Sequence, residues 1–424
     1  MIQPKEYTPQ NLPVGRQVEN SDHKILMEHR LVYKDRVQSV DFLRGVVMII
    51  MALDHVRAYF HYDSLIFSPT DLERTTPALF ATRFITHLCA PTFIFLAGTS
   101  AYFIAQRKTL KDTSIFLLTR GLWLVLLQVS LIQFAWNFDP AFHFLSSNII
   151  STIGFCMILL SMVIHLPFNV ILIFGIVMVA GHNTLDTISF ESGSIKDVIW
   201  SFLHQRNLYA LGNDYSFRFL YPIIPWIGVM ALGYCLGRLF DQGYATEKKK
   251  ATLLTLGTFS LITFFILRSI NIYGDPNPWT LQQKASFTIM SFFNVEKYPP
   301  SLSFLGLTLG VALLLLGFLE GKNLDRWRAV TLYGKVALFY YVAHIYLIHG
   351  LALVTVSLMG YPWQTMIFIG AHSQVHPLIK GNFGFSLGMT YVIWISVVAL
   401  LYPLCVYWNS FKIKNKFNWW VSYV

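Results

Sequence analysis

The chain has 424 residues, a net charge of +10, 54% hydrophobic and only 13% charged residues, and a mean hydropathy of +0.51. A soluble domain carries roughly 25% charge because its whole surface faces water, so composition excludes a water-soluble globule of this size. A transmembrane β-barrel is excluded as well: it needs alternating ten-residue strands, whereas the apolar runs here are about 18 to 24 residues long and do not alternate. Helices remain, since they satisfy their own backbone in hydrocarbon.

The first residues, through Lys34 and Arg36, are polar and hold no apolar signal-peptide core. They read as a cytoplasmic tail, residues 1–37, followed by a transmembrane domain over 38–410 and a second cytoplasmic tail, 411–424. Spans are predicted at 41–61, 84–106, 115–136, 149–166, 168–184, 219–240, 251–271, 300–319, 334–358 and 386–408. The fold class is therefore all-α, a polytopic helix bundle of about ten spans with both termini cytoplasmic. Pro167 closes a tight hairpin between the fourth and fifth spans. The stretch 195–211 reads as an amphipathic interfacial helix with Ile195, Val198, Ile199 and Phe202 on one side. Pro222 and Pro225 are expected to kink the sixth span. Gly98, Gly228, Gly233 and Gly237 read as close helix-packing positions. The four cysteines fall inside spans without metal-ligand spacing, so they read as packing groups and no metal is expected.

Orientation follows from the basic residues. With the N-terminus inside, the inner segments hold Arg16, Lys24, Arg30, Lys34 and Arg36, then Arg107, Lys108 and Lys111. The later inner loops hold Lys248 to Lys250 and Lys322 to Arg328, and the tail Lys412 to Lys416. The short outer loop 137–148 has none. The positive charge is thus accounted for by topology and anionic lipid headgroups, and no basic domain is present for nucleic acid to dock on.

Ionisable groups within spans are costly and mark candidate sites. The first span holds Asp41 and Arg44, nine mostly apolar residues, then Asp54, His55 and Arg57. Arg44 and His55 are eleven residues apart, hence within about 20° of one helix face and roughly 16 Å apart along the axis. Asp41 with Arg44, and Asp54 with Arg57, are i,i+3 pairs that can neutralise one another. Depth counting from Asp41 and Lys335 puts His55 and His349 at one level, about 21 Å from the inner face. His87 and His182 stand near it, His344 is more central, and a shared level fits a polar cavity opening outward. Tyr340 and Tyr341 beside His344 read as packing. Arg120 can snorkel to headgroups or hold a phosphate with Arg107 and Lys108. No P-loop, HExxH, GxSxG or dinucleotide fingerprint is present.

The segments SVDFLRGVVMIIMALDHVRAYF and HLCAPTFIFLAGTSAYF, with RGLWLVLLQ, YPIIPWIGVMALGYCLGR, KYPPSLSFLGLTLG and LYGKVALFYYVAHIYLIHG, resemble the bacterial branch of the heparan-α-glucosaminide N-acetyltransferase catalytic-domain-like family. The resemblance runs from about residue 35 to 408. It implies a transmembrane acetyltransferase in a bacterial inner membrane, with acetyl-CoA as co-substrate and a sugar or glycan acceptor at the outer face. In the family's lysosomal enzyme the catalytic histidine follows the first helix, where this chain offers His61 and Asp63, while an asparagine matches His55. The Arg44-to-His55 spacing is instead similar to the first-helix motif of the broader sugar O-acetylating membrane acyltransferases. The candidates are therefore His55, Asp54 and His61 for catalysis, and Arg44, Arg107, Lys108 and Arg120 for acetyl-CoA. Asp41, Arg57, Asp63, His87 and His349 are further polar positions. The expected partners are membrane lipids, acyl-CoA and the acceptor; oligomeric state stays open, a homodimer included. The competing class is a proton-coupled transporter or flippase that uses the same His/Asp cluster as a relay.

Overall fold

The computed structural model describes residues 37–369 and 376–423. The basic tail residues from Arg16 to Arg36 lie outside them. Eight of the described helical segments are long and apolar enough to cross a membrane. Two further helices match the remaining predicted spans. One is α1, Gln38–Phe60, which is long enough but carries Asp41, Arg44, Asp54 and Arg57. The other, Ile149–Val163, is apolar but shorter.

Chain order runs from α1 to α2, Pro77–Thr86, and α3, Cys89–Ala105. The second span thus begins earlier than its apolar pattern suggests. Thr76 caps it through its side chain, Pro77 occupies the first turn, and the helix is interrupted at His87 and Leu88. Next is α4, Leu110–Leu127, which passes through a π-helical turn, Gln128–Ile132, into α5, Gln133–Asn137. Strand β1, Phe144–Ser147, leads to α6, Ile149–Val163, and α7, Phe168–Gly181, the latter two joined at Pro167 as the sequence requires.

The stretch 195–211 is not one helix. It divides into α8, Ile195–Leu203, and strand β2, Asn207–Leu211. Leu211 turns through Gly212, which adopts a positive φ of 76°, into β3, Tyr215–Phe219. The apolar periodicity of the first half is helical, but the glycine hairpin imposes antiparallel pairing on the second. Strand β1 joins the other edge of β3 in parallel, giving the order β1-β3-β2 with Phe144 opposite Ser216.

Helix α9, Ile223–Gly237, corrects a second expectation. Pro222 caps it and Pro225 lies in its first turn, where a missing N–H costs nothing, so the two prolines start the helix and do not kink it. There follow α10, Thr246–Ile270; α11, Ala285–Phe293; and α12, Leu302–Leu319. The ninth predicted span is two helices, α13, Arg328–Lys335, and α14, Ala337–Leu358, broken at Val336. The last is α15, Leu387–Lys414.

Small residues let these helices approach. A Cβ on Gly45 would strike the Val330 carbonyl, and one on Gly334 the Asp41 carbonyl, so α1 and α13 cross backbone against backbone. Gly98 and Gly233 do the same for α3 and α9. Phe259, Ile262 and Phe265 on α10, with Val392, Ile395 and Leu404 on α15, are exposed apolar side chains suited to lipid. All four cysteines are buried and unbridged. The bundle is an integral membrane protein, with α1 buried over most of its length.

Candidate active site

Asp54, at the end of α1, is held by two cations. Arg57 donates from Nη2 to Oδ1 at 2.9 Å, the i,i+3 pair legible in the sequence. Arg83 on α2 takes Oδ2. The charge of Arg83 also acts on Tyr298, in the loop before α12. One carboxylate thus ties together two helices.

His55, its neighbour, faces His344 of α14. Their Nδ1 and Nε2 atoms are 2.6 Å apart and their rings stack at an interplanar angle of 12°. His344 is fully buried. Its other nitrogen, Nδ1, lies 2.8 Å from the Tyr340 carbonyl, which only accepts. In the neutral pair the protons are therefore assigned: His344 donates from Nδ1 to the carbonyl, its Nε2 accepts from Nδ1–H of His55, and His55 keeps its lone pair on Nε2. Trp136 packs edge-on against His55 with centroids 4.8 Å apart.

Asp54 and His55 line a cavity of about 250 Å³. Its wall includes Arg83 of α2, Gln133 and Trp136 of α5, Tyr341 of α14, and Arg218 at the end of β3. Gln133 follows the π-helical turn and spans β1, donating to the Phe144 carbonyl at 2.9 Å and accepting from Ser146 N–H at 3.1 Å. Tyr221, Lys297 and Tyr298 complete the wall, the two phenol oxygens lying 3.4 Å apart. Burial pushes the Tyr298 phenol up, but Lys297 and Arg83 outweigh it and bring the pKa down to about 7.

At the opposite end of α1, Arg44 reaches Asp41 at 3.3 Å and the Ser100 hydroxyl at 2.8 Å. Arg120 is close enough to interact with the charge of Arg44. Lys108 and Arg120 both stand over the Phe116 ring, at 4.9 and 5.9 Å. Arg107 sits in the exposed turn after α3. All four cations expected from the sequence to serve acetyl-CoA therefore lie toward one pole of the bundle.

The remaining candidates are placed differently. His61 is 3% exposed and caps the turn that follows α1, its Nδ1 accepting from Asp63 N–H at 3.2 Å. Burial, then the charge of Arg57, lower its pKa to about 4; burial raises that of Asp63. His87 is buried against Phe304. Neither His61 nor His87 lines the cavity. His349 meets the carbonyls of Ala135 and Met366 at 2.8 and 2.7 Å and stacks on Phe138. His182 likewise meets Val179 and Pro300 carbonyls. The shared histidine level is thus mainly a level of backbone ties, and of these residues only His55 lines the cavity. The partner of His55 is His344, which the sequence pattern left among packing residues.

A half-buried carboxylate held by two arginines and an imidazole paired with a second histidine thus stand side by side at one pole of a helical membrane protein, on the wall of a cavity. The family model described as "Heparan-alpha-glucosaminide N-acetyltransferase, catalytic" matches residues 36–274. That is more than half of the chain, and the chain belongs to this family, a family of membrane acetyltransferases. No curated protein matches it. Lys297, Tyr298, Tyr341 and His344 lie beyond the matched residues.

Proposed function

We propose that the chain transfers an acetyl group from acetyl-CoA to a hydroxyl or amine of a sugar, with His55 as the general base. The observation that carries this reading is the His55–His344 pair, with His55 on the cavity wall and His344 behind it. A base must present an unprotonated nitrogen, and the Tyr340 carbonyl, through His344, directs the free lone pair to Nε2 of His55. In the transfer, the acceptor proton moves to that nitrogen as the acceptor oxygen or nitrogen bonds the acetyl carbonyl carbon. The carbon–sulfur bond then breaks, and the CoA thiolate leaves with the proton returned by His55. A covalent acetyl-histidine is the alternative path through the same nitrogen.

The donor's phosphates require cations, and Arg44, Lys108 and Arg120 supply them at the other pole. The Arg44-to-His55 rise of roughly 16 Å suits a pantetheine arm reaching along α1. In this reading the Arg44 pole is cytoplasmic, the cavity pole faces outward, and the membrane is a bacterial inner membrane, as the basic loops and the family resemblance suggest. Asp54, Arg57 and Arg83 hold the end of α1 in place, with Asp54 polarising the site.

Calorimetric titration of acetyl-CoA into the purified full chain tests this with wild type, Arg44→Ala and His55→Ala. Saturable binding that Arg44→Ala weakens, and that His55→Ala preserves while abolishing acetyl turnover, is the expected result. A folded protein that binds no acyl-CoA overturns it and returns the chain to proton-coupled transport.

A further inference from the structure

The cavity carries more positive charge than its own groups neutralise. Arg57, Arg83, Arg218 and Lys297 line it against one carboxylate, Asp54. Both oxygens of Asp54 are taken, by Arg57 and Arg83. Arg218 donates from Nε to the Ser146 hydroxyl at 3.3 Å and lies over the Phe144 ring. Lys297 is only 8% exposed, and its ammonium stands 5.1 Å from the Tyr298 ring centroid. Among the described residues, neither of these two cations forms an ion pair. Arg206 adds a third cation nearby, 5.7 Å from the Tyr298 ring. Holding an ammonium in so dry a place without a counter-charge is unfavourable, and an anionic occupant reverses the sign of that cost. The downward pull on the Tyr298 phenol reports the same positive field from the cavity wall.

We propose that the cavity is a subsite for an oxyanion on the acceptor, a sugar carboxylate or phosphate, held by Lys297 and Arg218 while the group to be acetylated faces His55. This rests on the acetyl-transfer reading for the role of the bound molecule, though not for its charge. At about 250 Å³ the space lies below the roughly 300–1,000 Å³ of sites for drug-sized ligands, so it accommodates a single terminal sugar unit. The donor's own phosphates are the other source of the same chemistry, and they have separate cations at the far end of α1.

The test is calorimetry on the full chain in lipid nanodiscs with methyl glucuronide, glucose 6-phosphate and the uncharged methyl glucoside. Both anions are expected to bind at least about tenfold more tightly than the glucoside. Lys297→Met and Arg218→Gln should each cost the anions about tenfold or more while changing the glucoside little. Equal affinity for charged and uncharged sugars, or no binding of either anion, overturns the proposal. That comparison is made on wild type, so it decides even if a variant does not fold. Should acetyl-CoA displace methyl glucuronide and itself lose affinity in Lys297→Met, the site holds the donor's phosphates and the proposal falls. Anion binding by a protein that never binds acetyl-CoA keeps the subsite and removes the acetyltransferase; acetyl-CoA binding without sugar discrimination does the reverse.

Discussion

The two ends of α1 are built on different principles. At the Arg44 end the partners are near in sequence or on an adjacent helix: Asp41 three residues away and Ser100 on α3. At the His55 end the partners come from across the chain: Arg83 on α2, Trp136 on α5, Arg218 from the small sheet, Tyr298 from a loop and His344 on α14. In the proposed acetyl transfer the first end would gather charge, a job that loosely placed cations can do. The second would order protons, and that requires each nitrogen to have one designated partner. On that proposal the polyanion end tolerates changes that the proton-ordering end does not.

The largest effect that would test this contrast is expected at His55. His55→Ala should lower acetyl turnover by about 10²–10⁴-fold, the range for losing a general base, with acetyl-CoA binding retained. Comparable loss of binding would show that the two ends are not separate. Asp54→Asn comes next. It leaves Arg57 and Arg83 facing a neutral group, and breaking a buried ion pair costs about 3–5 kcal/mol; with Asp54 partly exposed the lower end is expected, read as a fall in thermal stability. A variant as stable as wild type would mean that the carboxylate is solvated and does not organise the pole.

His344 separates positioning from packing. Glutamine offers an amide oxygen that can accept from Nδ1–H of His55, whereas phenylalanine fills the space and accepts nothing. His344→Gln should retain most of the turnover and His344→Phe lose about tenfold or more. The reverse order would reduce His344 to a space filler.

Tyr298 gives a pH signature. Its pKa is about 7 against the usual 10, so the fold favours the phenolate. That contribution to stability is absent below pH 7, grows as pH rises from 7 to 10, and is lost again as pH falls back through 7. Ultraviolet titration should show one tyrosine ionising near pH 7 in wild type and none in Tyr298→Phe. Affinity for methyl glucuronide should weaken over the same step, because the phenolate supplies the counter-charge that the sugar would bring. The smallest effect is expected at the other pole: Arg120→Ala should weaken acetyl-CoA binding by only about twofold to fivefold, as one of several partly solvated cations.

What was legible in the sequence was whatever depends on solvent preference and local spacing. Runs of apolar residues mark helices because lipid admits no unpaired backbone, and the helices stand where those runs were found. The i,i+3 pairs Asp41–Arg44 and Asp54–Arg57 formed as read, since helical geometry alone brings them together. The glycines at 98 and 233 sit at a helix crossing for the same reason that small residues are enriched there. The family, too, was readable from its motifs. Other features depend on which distant segments meet, and only the tertiary structure decided them. A glycine turn converted the end of the predicted 195–211 helix into a strand, because hairpin pairing outweighed a short amphipathic pattern. Histidines at similar depth divided into backbone ties and one cavity-facing group, because depth does not record which face a side chain takes or what crosses it. His344 beside a pair of tyrosines looked like packing; its hydrogen bond to His55 exists only because the fold brings α14 to α1 at this point. Lys297 and Arg218 belong to no motif that the sequence singles out, and only folding brings them together on the wall of one cavity.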